Sequence, residues 1–184
     1  MSRIRAVSAS VAAVAVVAGA ALVMSGPAAQ SSAAAAVIAR YSPLGATANG
    51  PSGPGTAKFT ATPHCCPSTA VVLTPTAVST ESDFQWVVLG VPWDNGTVTD
   101  VQVCYAAKGK GYISQTRVVE MTTPDSATVR VDEPTDRTDP GPTCYTVPAK
   151  FTPTGSLAVE LKVVFASTTD RITLGMVALG GVAV

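Results

Sequence analysis

The sequence predicts an all-β protein, an antiparallel β-sandwich of jelly-roll-like or immunoglobulin-like type with about eight strands. Three observations lead there. Apolar and polar residues alternate at period two in short runs, turn-forming residues cluster between those runs, and no stretch carries an 11-residue helical period. Composition agrees: 47% of the 184 residues are hydrophobic and 13% charged, with 15 Gly and 14 Pro. Threonine and valine, both abundant, suit a half-buried pleated surface, and Gly and Pro supply its turns.

The N-terminal stretch stands apart. Arg3 and Arg5 precede an uncharged Ala/Val run that ends at Gly26-Pro27, followed by small residues. This is the layout of a secretory signal peptide, expected to cover residues 1–28. An uncleaved anchor is the competing reading, because the run is about as long as the roughly 18 residues a membrane span requires. No other segment could span a membrane. Residues 29–55, ending in "SPLGATANGPSGPG", read as a flexible linker rich in Ala, Ser, Gly and Pro. The folded domain is then expected over 56–184.

Within that domain the strands follow in order. "FQWVVLGV" is almost wholly apolar and suits a central strand, which places Trp86 in the core. "VTDVQVCY" sets Val101, Val103 and Tyr105 on one face and Gln102 and Cys104 on the other. In "YISQTRVVEM", Ile113 and Val119 share a face with Gln115 and Arg117. "ATVRVD" sends Ala127, Val129 and Val131 inward and Arg130 outward. "LAVELKVVF" is the clearest strand: Leu157, Val159, Leu161, Val163 and Phe165 face one way, Glu160 and Lys162 the other. "RITLGMVALGGVAV" closes the chain as a second apolar strand. Turn signals separate the runs at "PWDNG", "KGKG", "TPDS" and "EPTDRTDPGP". Asn95-Gly96-Thr97 matches a glycosylation sequon but reads as an Asn-Gly hairpin turn.

Charge excludes one class of partner. The chain balances 12 Lys+Arg against 12 Asp+Glu, and loss of Arg3 and Arg5 with the signal leaves a net of −2. That is no electrostatic footprint for nucleic acid, and none is expected as a partner. Nor is a membrane expected once the signal is removed.

Four cysteines in an exported chain read first as two disulfides. Cys65 and Cys66 are adjacent, and bridging them to each other would strain an extended chain. Cys65 and Cys66 could instead reach Cys104 and Cys144, in either order. Alternatively Cys104 and Cys144, both at strands, could staple neighbours, closing a loop of roughly 40 residues worth about 4 kcal/mol. The preceding His64 makes "HCC" a conceivable metal or redox site, yet adjacent ligands diverge where zinc sites space theirs by two to four residues.

Other chemistry is sparse. With a single histidine and no G-x-S-x-G elbow, a Ser-His-Asp hydrolase has little to stand on. A glycosidase needs only two carboxylates, and Glu120 and Glu160 lie on strands. No cofactor is expected: Asp132, Glu133, Asp136 and Asp139 fall within eight residues and carry the hard oxygens that calcium takes, but a polar, proline-punctuated loop between strands reads first as solvated. For binding, Trp93 in its turn, with Lys108, Lys110 and Tyr112 around "KGKG", are the candidate contact residues, since exposed aromatics are platforms for sugar rings.

The run "GYISQTRVVEMTTPDSATVRVDEPTDRTDPGPTCYTV", preceded by "VTDVQVCYA", resembles a pattern of secreted bacterial β-sandwich proteins: a "VxVCY" strand, an "ISQxR" strand, then a "DDxTDxTxxGPxC" segment. It covers Val98 to Val147. The resemblance implies an extracellular location, a jelly-roll-like sandwich, and pairing of Cys104 with Cys144. It brings no catalytic residue. The expectation is therefore a secreted, non-catalytic binding or surface-interaction module whose partner is an extracellular polysaccharide or protein. The alternatives are a carboxylate-dependent polysaccharide hydrolase or lyase, and an extracellular structural protein.

Overall fold

The computed structural model describes residues 35–54, 56–65, 69–94 and 96–183. The signal segment 1–28, Cys66 and Asn95 lie outside the described residues. Twelve strands form among those described: β1 (Ala36–Tyr41), β2 (Thr47–Gly50), β3 (Gly53–Pro54), β4 (Phe59–Pro63), β5 (Val71–Pro75), β6 (Gln85–Gly90), β7 (Thr97–Lys108), β8 (Tyr112–Thr123), β9 (Ser126–Glu133), β10 (Thr143–Phe151), β11 (Ser156–Val164) and β12 (Arg171–Val182). No helix among the described residues is long and apolar enough to cross a membrane.

The pairing pattern decides between the two expected sandwich types. Strands β5 to β12 pair as a nested hairpin, β5 with β12, β6 with β11, β7 with β10 and β8 with β9. The pairs β7–β12 and β8–β11 then complete two antiparallel sheets. This is a jelly roll of eight strands. The first sheet, A, runs β10-β7-β12-β5-β4, and β1 joins β12 beyond β5; the second, B, runs β3-β2-β6-β11-β8-β9. Between the sheets lies one core built from the inward residues of each strand, including Val101, Val103 and Tyr105 of β7 and Leu157, Val159, Leu161 and Val163 of β11. Both strands face as their alternation predicts.

Four expectations need correction. Residues 36–54 are no free linker, because β1 pairs with β12 over six residues and β2 pairs with β6. Short strands at sheet margins tolerate the Gly and Pro that made this stretch look irregular. In β8 and β9, β-bulges reset the alternation. Ser114 is the extra residue opposite Lys162/Val163, so Ile113 faces inward while Gln115, Arg117 and Val119 face out. Arg130 is the extra residue opposite Val118/Val119, so Val131 is buried but Val129 is 50% exposed, and Ala127 is exposed too. Trp86 is buried yet does not belong to the core. It is the register partner of outward-facing Lys162, and the Arg117 guanidinium covers its ring at 5.0 Å.

The fourth concerns the cysteines. Cys104 and Cys144 are directly opposed on β7 and β10 and bonded to each other, so neither reaches the "HCC" segment. The strand register places them side by side on the outer face of sheet A, as the resemblance implied. Cys65 is also disulfide-bonded.

Candidate functional site

Trp93 sits where the chain leaves sheet B for sheet A. Val91 donates its N–H to Leu157 O at 2.9 Å, and Gly96, at φ +86°, turns the backbone into β7. Such a positive φ favours glycine. The indole Nε1–H donates to Gly96 O at 2.8 Å. The ring lies against the β12 backbone at Gly181, where a Cβ would come within 2.4 Å of Cζ2. One residue earlier, the Tyr41 hydroxyl donates to Pro92 O. The indole is thus held by its Nε1–H and against the β12 backbone.

Its remaining surface lines an open depression of about 530 Å³, shared with Gly90, Pro92, Gly155 and Ser156. Across Ser156 a second depression of about 510 Å³ continues between Met121, Thr122, Thr123 and Pro124. Together they form a trough over one end of sheet B, apolar at Trp93, Pro92, Met121 and Pro124 and hydroxyl-bearing at Ser156, Thr122 and Thr123. Mostly apolar concavities with a few polar groups are the usual form of a ligand site. Of these residues the sequence pointed only to Trp93. Gly181 of "ALGGV", which seats the ring, was a legible signal, but nothing local marked Ser156 or Met121.

The other expected contact residues lie elsewhere. Lys108 ends β7, Lys110 lies in the turn that follows and Tyr112 opens β8, about 35 Å away along the 12-residue β7. There the buried Asp170 accepts from Lys110 N at 3.0 Å and Ser167 N at 2.8 Å, pinning the hairpin to the β11–β12 loop. Tyr112 donates to Glu81 Oε1 at 2.9 Å, and Lys162 Nζ meets the other oxygen of that carboxylate at 2.7 Å. Burial first, then the Glu81 carboxylate, pushes the Tyr112 phenol up to about 12.

The four acids that offered oxygens for calcium are not gathered around one point. Asp132 bonds Gln115 and Arg117, Glu133 accepts from Thr135, and Asp139 accepts from the Tyr105 hydroxyl at 2.8 Å. Among the described residues no group of three or more His, Cys, Asp or Glu is placed to hold a metal ion. The loop works as a strap across the side of the sandwich. Ala107 N on sheet A donates to Asp139 O, while Ile113 on sheet B exchanges both backbone bonds with Arg137. The Arg137 guanidinium lies 4.4 Å over the Tyr145 ring.

Nor do Glu120 and Glu160 form a pair. Glu120 points into the sandwich and is 1% exposed, accepting from Thr154 N, Thr154 Oγ1 at 3.0 Å, Gly155 N at 2.8 Å and Arg130 Nε. These bonds, the Thr154 N–H foremost, hold its carboxyl at about 2 despite burial. Glu160 stands on the outer face beside Arg117, and partial burial raises its carboxyl. A sheet separates the two groups.

No family model and no curated protein matches the chain. Solved structures with a similar course include a mutant of CBM29-2 complexed with cellulohexaose, at TM-score 0.46 and 15% identity over 79% of this chain and 91% of that one. TmCBM61 in complex with β-1,4-galactotriose gives TM-score 0.46 and 9% identity over 73% and 88%. CBM29_1, a family 29 carbohydrate-binding module from Piromyces equi, gives 0.45 and 11% over 79% and 90%. Likenesses of this degree assign no function.

Proposed function

We propose that the chain is a secreted, non-catalytic module that binds polysaccharide, with Trp93 as its stacking platform. The observation that carries this reading is the indole itself, immobilised through Gly96 and Gly181 while lining a depression of about 530 Å³. A ring already fixed in its bound position loses little entropy when a sugar face covers it. Export agrees with the N-terminal signal pattern and with a disulfide of the kind that persists in oxidising compartments. A hydrolase built on Glu120 and Glu160 gains no support, because those carboxylates lie on opposite faces of sheet B.

Retention on insoluble cellulose, xylan and galactan tests the reading. The wild-type protein is expected to be retained on at least one, and Trp93→Ala to weaken retention at least tenfold with an unfolding transition still cooperative. Lys108→Ala and Lys110→Ala should leave it unchanged. Retention of Trp93→Ala at the wild-type level, or no retention of the wild type, would overturn it.

A further inference from the structure

The outer face of sheet A carries a separate depression. Two rows of residues cross it by register: Arg40 on β1, Ala178 on β12 and Gln102 on β7, then Ile38, Gly180 and Asp100. Because the middle strand contributes only an alanine and a glycine to these rows, the surface sinks between β1 and β7. The hollow measures about 240 Å³. Two strand spacings set its walls about 10 Å apart.

The walls are chemically opposite. Arg40 is exposed and takes part in none of the ion pairs among the described residues. Diagonally across the floor, one row along on β7, the Asp100 carboxylate is oriented by Thr99 Oγ1 at 2.9 Å. It lies over Gly180, where a Cβ would come within 2.3 Å of Oδ2. Arginine only donates, an ionised aspartate only accepts, and Gln102 does both. A complementary ligand presents acceptors on one edge and hydroxyl donors on the other.

We propose that this slot binds the hexuronate units of an acidic polysaccharide. The sugar carboxylate meets the Arg40 guanidinium, which a carboxylate can engage through two parallel hydrogen bonds. Hydroxyls on the opposite edge donate to Asp100 and Gln102. A neutral sugar leaves the Arg40 charge unmatched, and a chain with anions on both edges meets repulsion from Asp100. The proposal shares with the preceding section the premise of a polysaccharide ligand, but not its site.

Calorimetric titration with trigalacturonate and with its methyl ester separates the two. The wild type is expected to bind the acid at least tenfold more tightly than the ester, with affinity falling as salt rises. Arg40→Gln should lose at least tenfold, Arg40→Lys should lose less, and Trp93→Ala should bind the acid as the wild type does. No binding of the acid, equal binding of acid and ester, or an unchanged Arg40→Gln overturns the proposal. Loss of acid binding in Trp93→Ala also overturns it, by placing the uronate in the trough. Retention on the neutral polysaccharides, lost in Trp93→Ala and kept in Arg40→Gln, reports on the Trp93 reading whichever way the uronate result falls.

Discussion

Glu120 and Glu160 stand on neighbouring strands of one sheet, yet their carboxyls are displaced in opposite directions. Glu120 faces the interior, where the β10–β11 turn delivers two backbone N–H groups and a hydroxyl to it and Arg130 of β9 adds a guanidinium. Glu160 faces out, loses part of its solvent to its neighbours, and has only Arg117 nearby to offset that loss. The more deeply buried acid is therefore the stronger one. Hydrogen bonding to the charged form outweighs burial at Glu120, and burial outweighs a nearby charge at Glu160.

The largest expected effect comes from removing the inner carboxylate. Glu120→Ala leaves its donors without their acceptor and should cost on the order of 3 kcal/mol in urea unfolding. The same group predicts the acid limb of the wild type. Its folded value of about 2 lies below the unfolded value of about 4.3, so its contribution is complete above roughly pH 4.5 and is lost as pH falls towards 2. An unfolding midpoint that is flat from pH 5 to pH 2 would mean that the turn does not hold the charge.

Next is the turn itself. A Cβ on Gly155 would lie 2.2 Å from Met121 O, so Gly155→Ala must displace the backbone that presents N–H groups to Glu120. A loss of about 2 kcal/mol is expected. Most of that loss should be absent when the substitution is repeated in a Glu120→Ala background. Strict additivity of the two would uncouple turn and carboxylate.

The smallest effect has the opposite sign. With its carboxyl raised in the folded state, Glu160 favours folding while protonated, and that advantage fades as pH rises through the folded value. Glu160→Gln should stabilise by no more than about 0.5 kcal/mol at pH 7 and by nothing at pH 4. Destabilisation at pH 7 would show that the Arg117 attraction dominates and would erase the contrast with Glu120.

How far these positions were legible varied with the kind of constraint. The alternation placed Leu157 to Val163 of β11 and Val101 to Tyr105 of β7 on their correct faces, because a period of two is a local property of an extended chain; it breaks in β7 at Thr99, beyond which Val98 is buried too. It failed in β8 and β9, where bulges at Ser114 and Arg130 put the residues on their two sides out of phase. A bulge is set by how two strands meet, so one strand's pattern does not announce it. That change of phase is why Glu120 looked available for chemistry and is instead a structural acceptor. It is also why Arg117 lies on the outer face, over Trp86.

By itself the sequence determined the all-β class, the turn positions, the two clearest strands and Trp93 as an aromatic worth testing, since each depends on residues near one another in the chain. Only the tertiary structure decided the jelly-roll order, the pairing of Cys104 with Cys144, the recruitment of residues 36–54 into the sheets, and the separation of Trp93 from Lys108, Lys110 and Tyr112. Those outcomes depend on which distant strands hydrogen-bond and in what register. Cross-strand pairing joins residues such as Ile38, Gly180 and Asp100 that no local pattern connects.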